Sequence, residues 1–197
     1  MIQYPKGARR PTVINKSSVQ ETNYSRRGMR FETMINDSNT FYLSRNQAVI
    51  HKKPTPIRIA HVDYPKRSAA KITEAYFTEA STTDYNGVFK GRYIDFEAKE
   101  TKNKTSFPLK NFHQHQITHM ELCQKQGGVC FALLWFSHWR RAFILPFDVL
   151  NEYWVNQEMA RKSIPLSVIE EKGYECPLGI QPPIDYLKAL SCFLHDQ

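Results

Sequence analysis

Long hydrophobic runs are missing from this sequence of 197 residues, and its first residues hold no apolar segment. A transmembrane helix needs about 20 mainly apolar residues. A secretion signal needs a shorter apolar stretch, of about 7–15 residues, near the N-terminus. We therefore expect a cytoplasmic protein that does not enter a membrane.

Cysteine is scarce, and its spacing does not suit a zinc knuckle. The four cysteines are Cys123, Cys130, Cys176 and Cys192, and no two of them form a Cys-x-x-Cys pair. In the cytosol they are expected to stay reduced. A Gly-x-Ser-x-Gly motif and a glycine-rich phosphate-binding loop are also absent, which leaves the serine-hydrolase and NTPase classes without support.

The sequence has instead an excess of positive charge on a chain that can fold. With 41% hydrophobic residues it can bury the core of one domain. Its 27 Lys and Arg against 19 Asp and Glu give a net charge of +8. Two basic blocks, residues 1–30 and 52–71, favour a surface for nucleic acid, and a merely solvated basic surface is the alternative. From these blocks we expect DNA contacts by Arg26, Arg27, Lys52 and Lys53.

The chain divides into a terminal arm and a single domain. Residues 1–24 are polar, basic and poor in aliphatic side chains, which predicts a flexible arm. Residues 25–197 form the domain. Within it, residues 53–80 have no obvious place in the core and are too long for an ordinary loop, so we expect a functional projection there.

The remaining pattern predicts an α/β sandwich with a mixed sheet. Strict alternation over Gly91–Glu100 indicates a strand, and Asn86-Gly87 predicts the turn of a hairpin just before it. A helix over about 111–126 is followed by the apolar run Val129–Phe136, which has strand length. Further helices are expected from Arg26, near 147–158 and near 186–194.

Two carboxylates and a lysine form the most informative group. Across the predicted hairpin, Asp84 and Glu97 can meet, and Lys99 shares the face of Glu97 because it lies two positions further along the strand. Two carboxylates suit Mg²⁺, a hard cation that prefers oxygen ligands. Lysine can orient the attacking water or stabilise the charge that develops on a phosphodiester. The alternative is a set of surface ion pairs on an exposed strand face.

Two further residues support a metal site over surface ion pairs. Gln116 shares the apolar face of its predicted helix with Phe112 and Met120, and a buried amide needs a polar partner. Thr82 has the same strand parity as Asp84, so its oxygen can reach the same place. Both residues can therefore contribute to a metal site with Asp84 and Glu97.

Three histidines, His113, His115 and His119, also invite a zinc site. His115 and His119 are four residues apart, which is a common spacing of ligands on a helix. No third strong ligand is evident from the sequence. A polar helix surface near DNA is therefore the preferred interpretation.

Several long motifs resemble the RecU family of Holliday-junction resolvases from low-GC Gram-positive bacteria, in the PD-(D/E)xK nuclease superfamily. The resemblance is densest over residues 49–116, and Thr83 stands before Asp84 where the wider superfamily has proline. The motifs are Val49-Ile50-His51-Lys52-Lys53-Pro54-Thr55-Pro56, Tyr64-Pro65-Lys66-Arg67-Ser68-Ala69-Ala70, Ser81-Thr82-Thr83-Asp84-Tyr85-Asn86-Gly87, Gly91-Arg92-Tyr93-Ile94-Asp95-Phe96-Glu97-Ala98-Lys99-Glu100 and Thr105-Ser106-Phe107-Pro108-Leu109.

This resemblance implies a fold and residue roles. The fold would be a restriction-endonuclease-like mixed sheet flanked by helices, with residues 53–80 as a projecting stalk. Glu32 would be a supporting carboxylate. Asp84, Glu97 and Lys99 would be catalytic. Metal ligands would be Thr82, Asp84, Glu97 and Gln116, with one or two Mg²⁺ per subunit and Mn²⁺ as a substitute. On the stalk, Lys66, Arg67 and Lys71 would meet phosphates, and Tyr76 and Phe77 would pack against unstacked bases.

The implied function is resolution of Holliday junctions by paired symmetric nicks during homologous recombination and DNA repair. A homodimer would supply two symmetry-related sites. Four-way junctions and other branched DNA would be the substrates. RecA and a branch-migration helicase would be partners, with Arg67 at the regulatory surface. The competing hypothesis is a DNA-binding recombination accessory that anneals strands or modulates RecA without cutting.

Overall fold

The computed structural model describes residues 25–65, 70–77 and 82–196, and the side chains from residue 31 onward. The arm over residues 1–24, the side chains of Arg26 and Arg27, and Lys66 and Arg67 lie outside the described part. The elements are α1 (Ser25–Ser44), β1 (Ala48–Lys52), β2 (Ile57–Asp63), β3 (Lys71–Phe77), β4 (Tyr85–Phe89), β5 (Arg92–Thr101), β6 (Ser106–Pro108), α2 (Gln114–Lys125), β7 (Val129–Phe136), β8 (Arg141–Pro146), α3 (Phe147–Val155), β9 (Ser163–Pro165), α4 (Leu166–Lys172), β10 (Tyr174–Cys176) and α5 (Tyr186–His195).

Six strands form the main sheet, in the order β1-β4-β5-β7-β8-β10. The pair β5–β7 is parallel and the other four pairs are antiparallel. All eight residues of β7 are buried, because strands flank it on both sides and helices cover both faces of the sheet. This burial explains why the sequence of β7 is apolar throughout.

Helices cover both faces of the sheet. On one face, Phe31 and Ile35 of α1 and Leu190 of α5 pack against Ile94 and Phe96 of β5. On the other face, the core joins α2, α3 and α4 to β7 and β8. This architecture confirms the predicted mixed sheet flanked by helices. None of the helices in the described ranges is long and apolar enough to cross a membrane.

The predicted position of the hairpin turn is wrong. Asn86 and Gly87 lie inside β4, where they pair with Asp95 and Ile94. The chain turns instead at Lys90-Gly91, where both residues have positive φ, +49° and +75°, as a two-residue type I′ turn requires.

Gly87 serves strand packing rather than a turn. A Cβ on Gly87 would lie 2.0 Å from the carbonyl oxygen of Val49 and 2.6 Å from Cα of Ile50. Glycine is therefore required where β1 approaches β4.

Strands β2 and β3 form a ribbon outside the main sheet. Strands β2 and β3 pair antiparallel with each other, from Ile57 opposite Phe77 to Asp63 opposite Lys71. All seven residues of β3 and six of the seven in β2 are exposed. We call β2 and β3 together the ribbon. Its root is the Lys53–Pro56 segment that follows β1.

Candidate active site

Asp84 and Glu97 come together at the junction of β4 and β5. Asp84 immediately precedes β4, whose first residue, Tyr85, pairs with Phe96, and this register puts Asp84 beside Glu97. One oxygen of Asp84, Oδ2, accepts a hydrogen bond of 3.1 Å from the backbone N–H of Ala98. The convergence expected from a hairpin therefore occurs, although the turn lies four residues further along than Asn86.

Glu97 is held by two side chains. Its Oε1 lies 2.8 Å from Nζ of Lys99 and accepts a hydrogen bond of 2.7 Å from Nε2 of Gln116. The amide oxygen of Gln116 accepts from the backbone N–H of His113, which fixes the amide at the first turn of α2. Glu97 is only 1% exposed. The alternative of surface ion pairs on an exposed strand face is therefore wrong for Glu97.

The electrostatics of Glu97 favour a bound cation. Burial, and then the charge of Asp84, raise the pKa of Glu97 to about 8, although Lys99 opposes the rise. The second oxygen, Oε2, is buried without a hydrogen-bond partner in the described part of the chain. Ionised carboxylates only accept hydrogen bonds, so this oxygen needs a proton or a cation. The residues present thus fit a hard divalent cation with oxygen ligands.

A cleft of about 190 Å³ opens beside these residues. Glu32 of α1 lies in its wall, and its Oε1 forms an ion pair of 2.5 Å with Nζ of Lys52. The structure therefore brings Glu32 and Lys52 to the same cleft as Asp84 and Lys99. The lining residues are Phe31, Glu32, Lys52, Asp84, Tyr85, Ala98, Lys99 and Glu100.

Lys53, by contrast, points into the protein. Its ammonium group lies 2.7 Å from Oδ2 of Asp95, and it donates to the hydroxyls of Thr82 at 3.1 Å and Thr83 at 2.7 Å. The side chain of Lys53 is 13% exposed and that of Asp95 is fully buried. The hydroxyl of Thr82 thus lies against Lys53, and the ammonium that was expected to contact DNA is engaged within the protein.

The predicted DNA-contacting residues of the ribbon lie on its surface. Lys71, Tyr76 and Phe77 are all exposed, with exposed fractions of 52% for Tyr76 and 81% for Phe77. The hydroxyl of Tyr76 donates to the carboxylate of Glu74. These aromatic side chains are free to meet a ligand.

Comparison with known protein families gives a match over most of the chain. The model of the family described as "Recombination protein U" matches residues 26–192. The chain belongs to the RecU family. This membership agrees with the motifs over residues 49–116.

Curated relatives match the RecU family chain over nearly their full lengths. A protein named Holliday junction resolvase RecU from Geobacillus kaustophilus is 56% identical over 191 residues, covering 96% of both chains. The protein of the same name from Ligilactobacillus salivarius is 53% identical, covering 97% of this chain and 93% of its own.

A solved structure from outside the family shares less. The Archaeoglobus fulgidus protein Hjc, a Holliday junction resolvase, is 13% identical and covers 73% of this chain and 92% of its own, with a TM-score of 0.40. The family membership therefore depends on the sequence matches.

The sequence interpretation missed Asp95 as a site residue. Its alternation with Glu97 and Lys99 indicated a shared face, but its burial and its partners were not foreseen. Asp95 accepts from Tyr93, Thr83 and Lys53 and contacts His119. The partner Lys53 is 42 positions away in sequence, and no local pattern could have identified the pair.

Proposed function

We propose that this protein is a divalent-metal-dependent endonuclease that resolves Holliday junctions during homologous recombination and DNA repair. The relatives that are more than 50% identical over nearly their full lengths carry the name Holliday junction resolvase. The observation that carries the proposal is the buried, unpartnered oxygen of Glu97 beside Asp84 and Lys99.

The proposed metal site uses the carboxylates of Asp84 and Glu97. Bound Mg²⁺, or Mn²⁺ in its place, would supply a Lewis acid at a phosphoryl oxygen and lower the pKa of a water molecule. One or two ions per subunit are proposed. Gln116 and Thr82 remain proposed ligands, and Gln116 would have to turn its amide oxygen away from the N–H of His113. The carboxylate of Glu32 would support the site from the cleft wall.

Lys99 has the position required for charge stabilisation. Its ammonium group is held by Glu97 at 2.8 Å and is one-fifth exposed, so it can meet a substrate at the cleft while it stays oriented. Placed there, it would orient the attacking water or donate to the phosphoryl oxygen on which negative charge develops. A pre-positioned cation needs little reorganisation during the reaction.

DNA recognition in this proposal combines the cleft and the ribbon. Lys52 and Lys71 are exposed and carry positive charge toward phosphates, together with the proposed contacts of Arg26, Arg27, Lys66 and Arg67. Tyr76 and Phe77 would stack on bases that are unstacked at the crossover. Such binding is expected to weaken as salt rises, because counterions are released from the phosphates.

Two symmetric nicks require two active sites, so we propose that the working form is a homodimer. RecA and a branch-migration helicase are proposed as further partners, with Arg67 at that surface. Residues 1–24 are proposed as a flexible basic arm attached to a single nuclease domain whose stalk insertion spans about residues 53–80.

The test is cleavage of an end-labelled synthetic four-way junction beside a linear duplex with the same arms. Reactions contain Mg²⁺, contain EDTA, or use Asp84→Ala in place of the native protein. We expect paired symmetric nicks on the junction alone, abolished by EDTA and by Asp84→Ala, with junction binding retained by the variant. Glu158→Gln, which removes an exposed carboxylate elsewhere, is the matched control and should cut normally.

The competing hypothesis predicts a different result. A non-cleaving recombination accessory would bind the junction tightly without cutting it under any of several divalent metals. Its strand-annealing activity would survive Asp84→Ala. That combination would assign Asp84, Glu97 and Lys99 a structural role and overturn the proposal.

A further inference from the structure

A second cluster of metal-ligating side chains lies beside the candidate active site. Among the described residues, one oxygen of Asp95, one ring nitrogen of His119 and the sulfur of Cys123 all lie within 4.8 Å of one another. Asp95 comes from β5, while His119 and Cys123 are four residues apart on the same face of α2. The cluster contains His119 but not His115, the residue with which spacing would have paired it.

Two of the three distances within this cluster suit tetrahedral coordination. Oδ2 of Asp95 is 3.2 Å from Nε2 of His119, and that nitrogen is 3.5 Å from Sγ of Cys123. Ordinary bond lengths to tetrahedral zinc put oxygen and nitrogen ligands about 3.3 Å apart, and nitrogen and sulfur ligands about 3.6 Å apart. A mixed oxygen, nitrogen and sulfur set favours Zn²⁺ or a similar transition metal over Mg²⁺.

A cation already occupies part of this cluster. Nζ of Lys53 lies 2.7 Å from Oδ2 of Asp95 and 3.2 Å from Nε2 of His119. The ammonium group of Lys53 therefore balances the charge of the fully buried carboxylate of Asp95. A metal ion would have to displace the ammonium group of Lys53, because two cations cannot share this carboxylate at contact distance.

The cluster is open on one side, and a second sulfur lies behind it. A cavity of about 660 Å³ between the end of α2 and the β4–β5 turn is lined by His119 and Cys123. This cavity gives an ion a path to the ligands. Cys130 lies beside Asp95 in the β5–β7 pairing, close to the thiol of Cys123.

We propose that Asp95, His119 and Cys123 form a binding site for Zn²⁺ or a transition metal of similar chemistry, for which Lys53 is the internal competitor. The site is distinct from the carboxylate pair Asp84 and Glu97 and does not depend on the proposed function. Binding replaces the Lys53–Asp95 ion pair, and the thiol of Cys123 gives its proton to solvent as it becomes a thiolate ligand.

The first test is titration of the reduced, full-length protein with Co²⁺, a spectroscopic substitute for Zn²⁺. We expect thiolate-to-Co²⁺ charge-transfer absorption in the near ultraviolet and the visible bands of four-coordinate Co²⁺. Both should be lost in Cys123→Ser. They should persist in Cys192→Ser, which removes an exposed cysteine on α5, and in Asp84→Asn, which removes a carboxylate of the other site.

Zn²⁺ affinity, measured by competition with a chromophoric chelator, tests the role of Lys53. We expect more than tenfold weaker binding in Cys123→Ser and in His119→Gln, and several-fold tighter binding in Lys53→Met. Thermal melting of each variant verifies folding, and Cys123→Ser, the smallest change, keeps the test valid if His119→Gln does not fold. Absent charge-transfer bands in the native protein, unchanged bands in Cys123→Ser, or unchanged affinity in Lys53→Met would overturn the proposal.

Discussion

Lys99 and Glu97 form an ion pair of 2.8 Å on the same face of β5, and this pair has unequal burial. The carboxylate is 2% exposed at its side chain, whereas the lysine side chain is 20% exposed. Burial of the ionised Glu97 carboxylate therefore carries a large desolvation cost. The ion pair with Lys99, at the edge of the cleft, offsets part of this cost.

Replacement of Glu97 by Gln should raise the stability of the metal-free protein at alkaline pH. The pKa of Glu97 rises from 4.5 to about 8 on folding, so the folded state retains a proton that the unfolded state has lost. Native stability therefore falls as pH rises between about 4.5 and 8. In EDTA, Glu97→Gln should melt near the temperature of the native protein at pH 4, and about 10 °C or more above it at pH 9. A difference that does not change with pH would contradict this account.

Replacement of Lys99 by Met should slow junction cleavage by roughly 10²–10³-fold, the usual cost of removing one donor to developing charge. It should also move the acid limb of the pH–rate profile to higher pH, because Lys99 lowers the pKa of Glu97. The measurement is single-turnover cleavage from pH 6 to 10. Lys125→Met removes an exposed lysine paired with Glu121 and should leave both rate and profile unchanged. A slower reaction with an unshifted pH–rate profile would show that Lys99 does not control the ionisation of Glu97.

Neighbouring lysines Lys52 and Lys53 should differ sharply in their effect on stability. Lys53→Met leaves the buried carboxylate of Asp95 without its ion pair and should cost about 3–5 kcal/mol of unfolding free energy. Lys52→Met removes an exposed pair with Glu32 and should cost less than about 1 kcal/mol. Urea unfolding in metal-free buffer measures both. Asp95→Asn added to Lys53→Met should recover part of the loss, and equal costs for the two lysines would be inconsistent with the geometry.

Two glycines of β4 and its turn should respond differently to alanine. At Gly87 a Cβ would meet the backbone of β1 at 2.0 Å, so Gly87→Ala should cost several kcal/mol or prevent folding. A Cβ on Gly91 would meet no other residue within 4 Å. Gly91→Ala should therefore lower the unfolding free energy by only about 1 kcal/mol, because of the positive φ alone. Soluble yield and denaturant unfolding compare the two variants. A loss of stability as small as that of Gly91→Ala would show that β1 can move away from β4.

The ribbon aromatics should matter for binding and not for stability. Tyr76→Ala and Phe77→Ala should each weaken junction binding by about 1–3 kcal/mol per lost base stack. Their melting temperatures should stay unchanged, because both side chains are exposed. Fluorescence anisotropy with a labelled junction and with a linear duplex measures affinity, and Met159→Ala, at a 97% exposed apolar residue, is the control. Equal losses on the junction and the duplex would argue against stacking at the crossover.

Local sequence patterns predicted the elements that alternate or repeat regularly. Alternation gave β5 and the shared face of Glu97 and Lys99, and helical spacing gave the buried amide of Gln116. The Asn86-Gly87 signal misled, because glycine was selected there by the approach of β1, a contact that no window of neighbouring residues contains.

Contacts between distant segments could not be predicted in this way. The Lys53–Asp95 pair and the Asp95, His119 and Cys123 cluster each join segments that only the folded sheet brings together. No element was predicted between the helices expected near 147–158 and 186–194, yet this stretch contains α4 and the edge strand β10. Both are short, and they are stabilised by packing on β8 rather than by local preference.

The backbone N–H of Lys53 donates a hydrogen bond of 2.8 Å to the carbonyl oxygen of Asp84. Lys53 is also the first residue of the ribbon root, where Pro54 and Pro56 fix their own φ angles and restrict the residues before them. The root is therefore a stiff connector. The hydrogen bond ties the root of the ribbon to the peptide unit that carries Asp84, so we expect a rotation of the ribbon to change the position of that carboxylate.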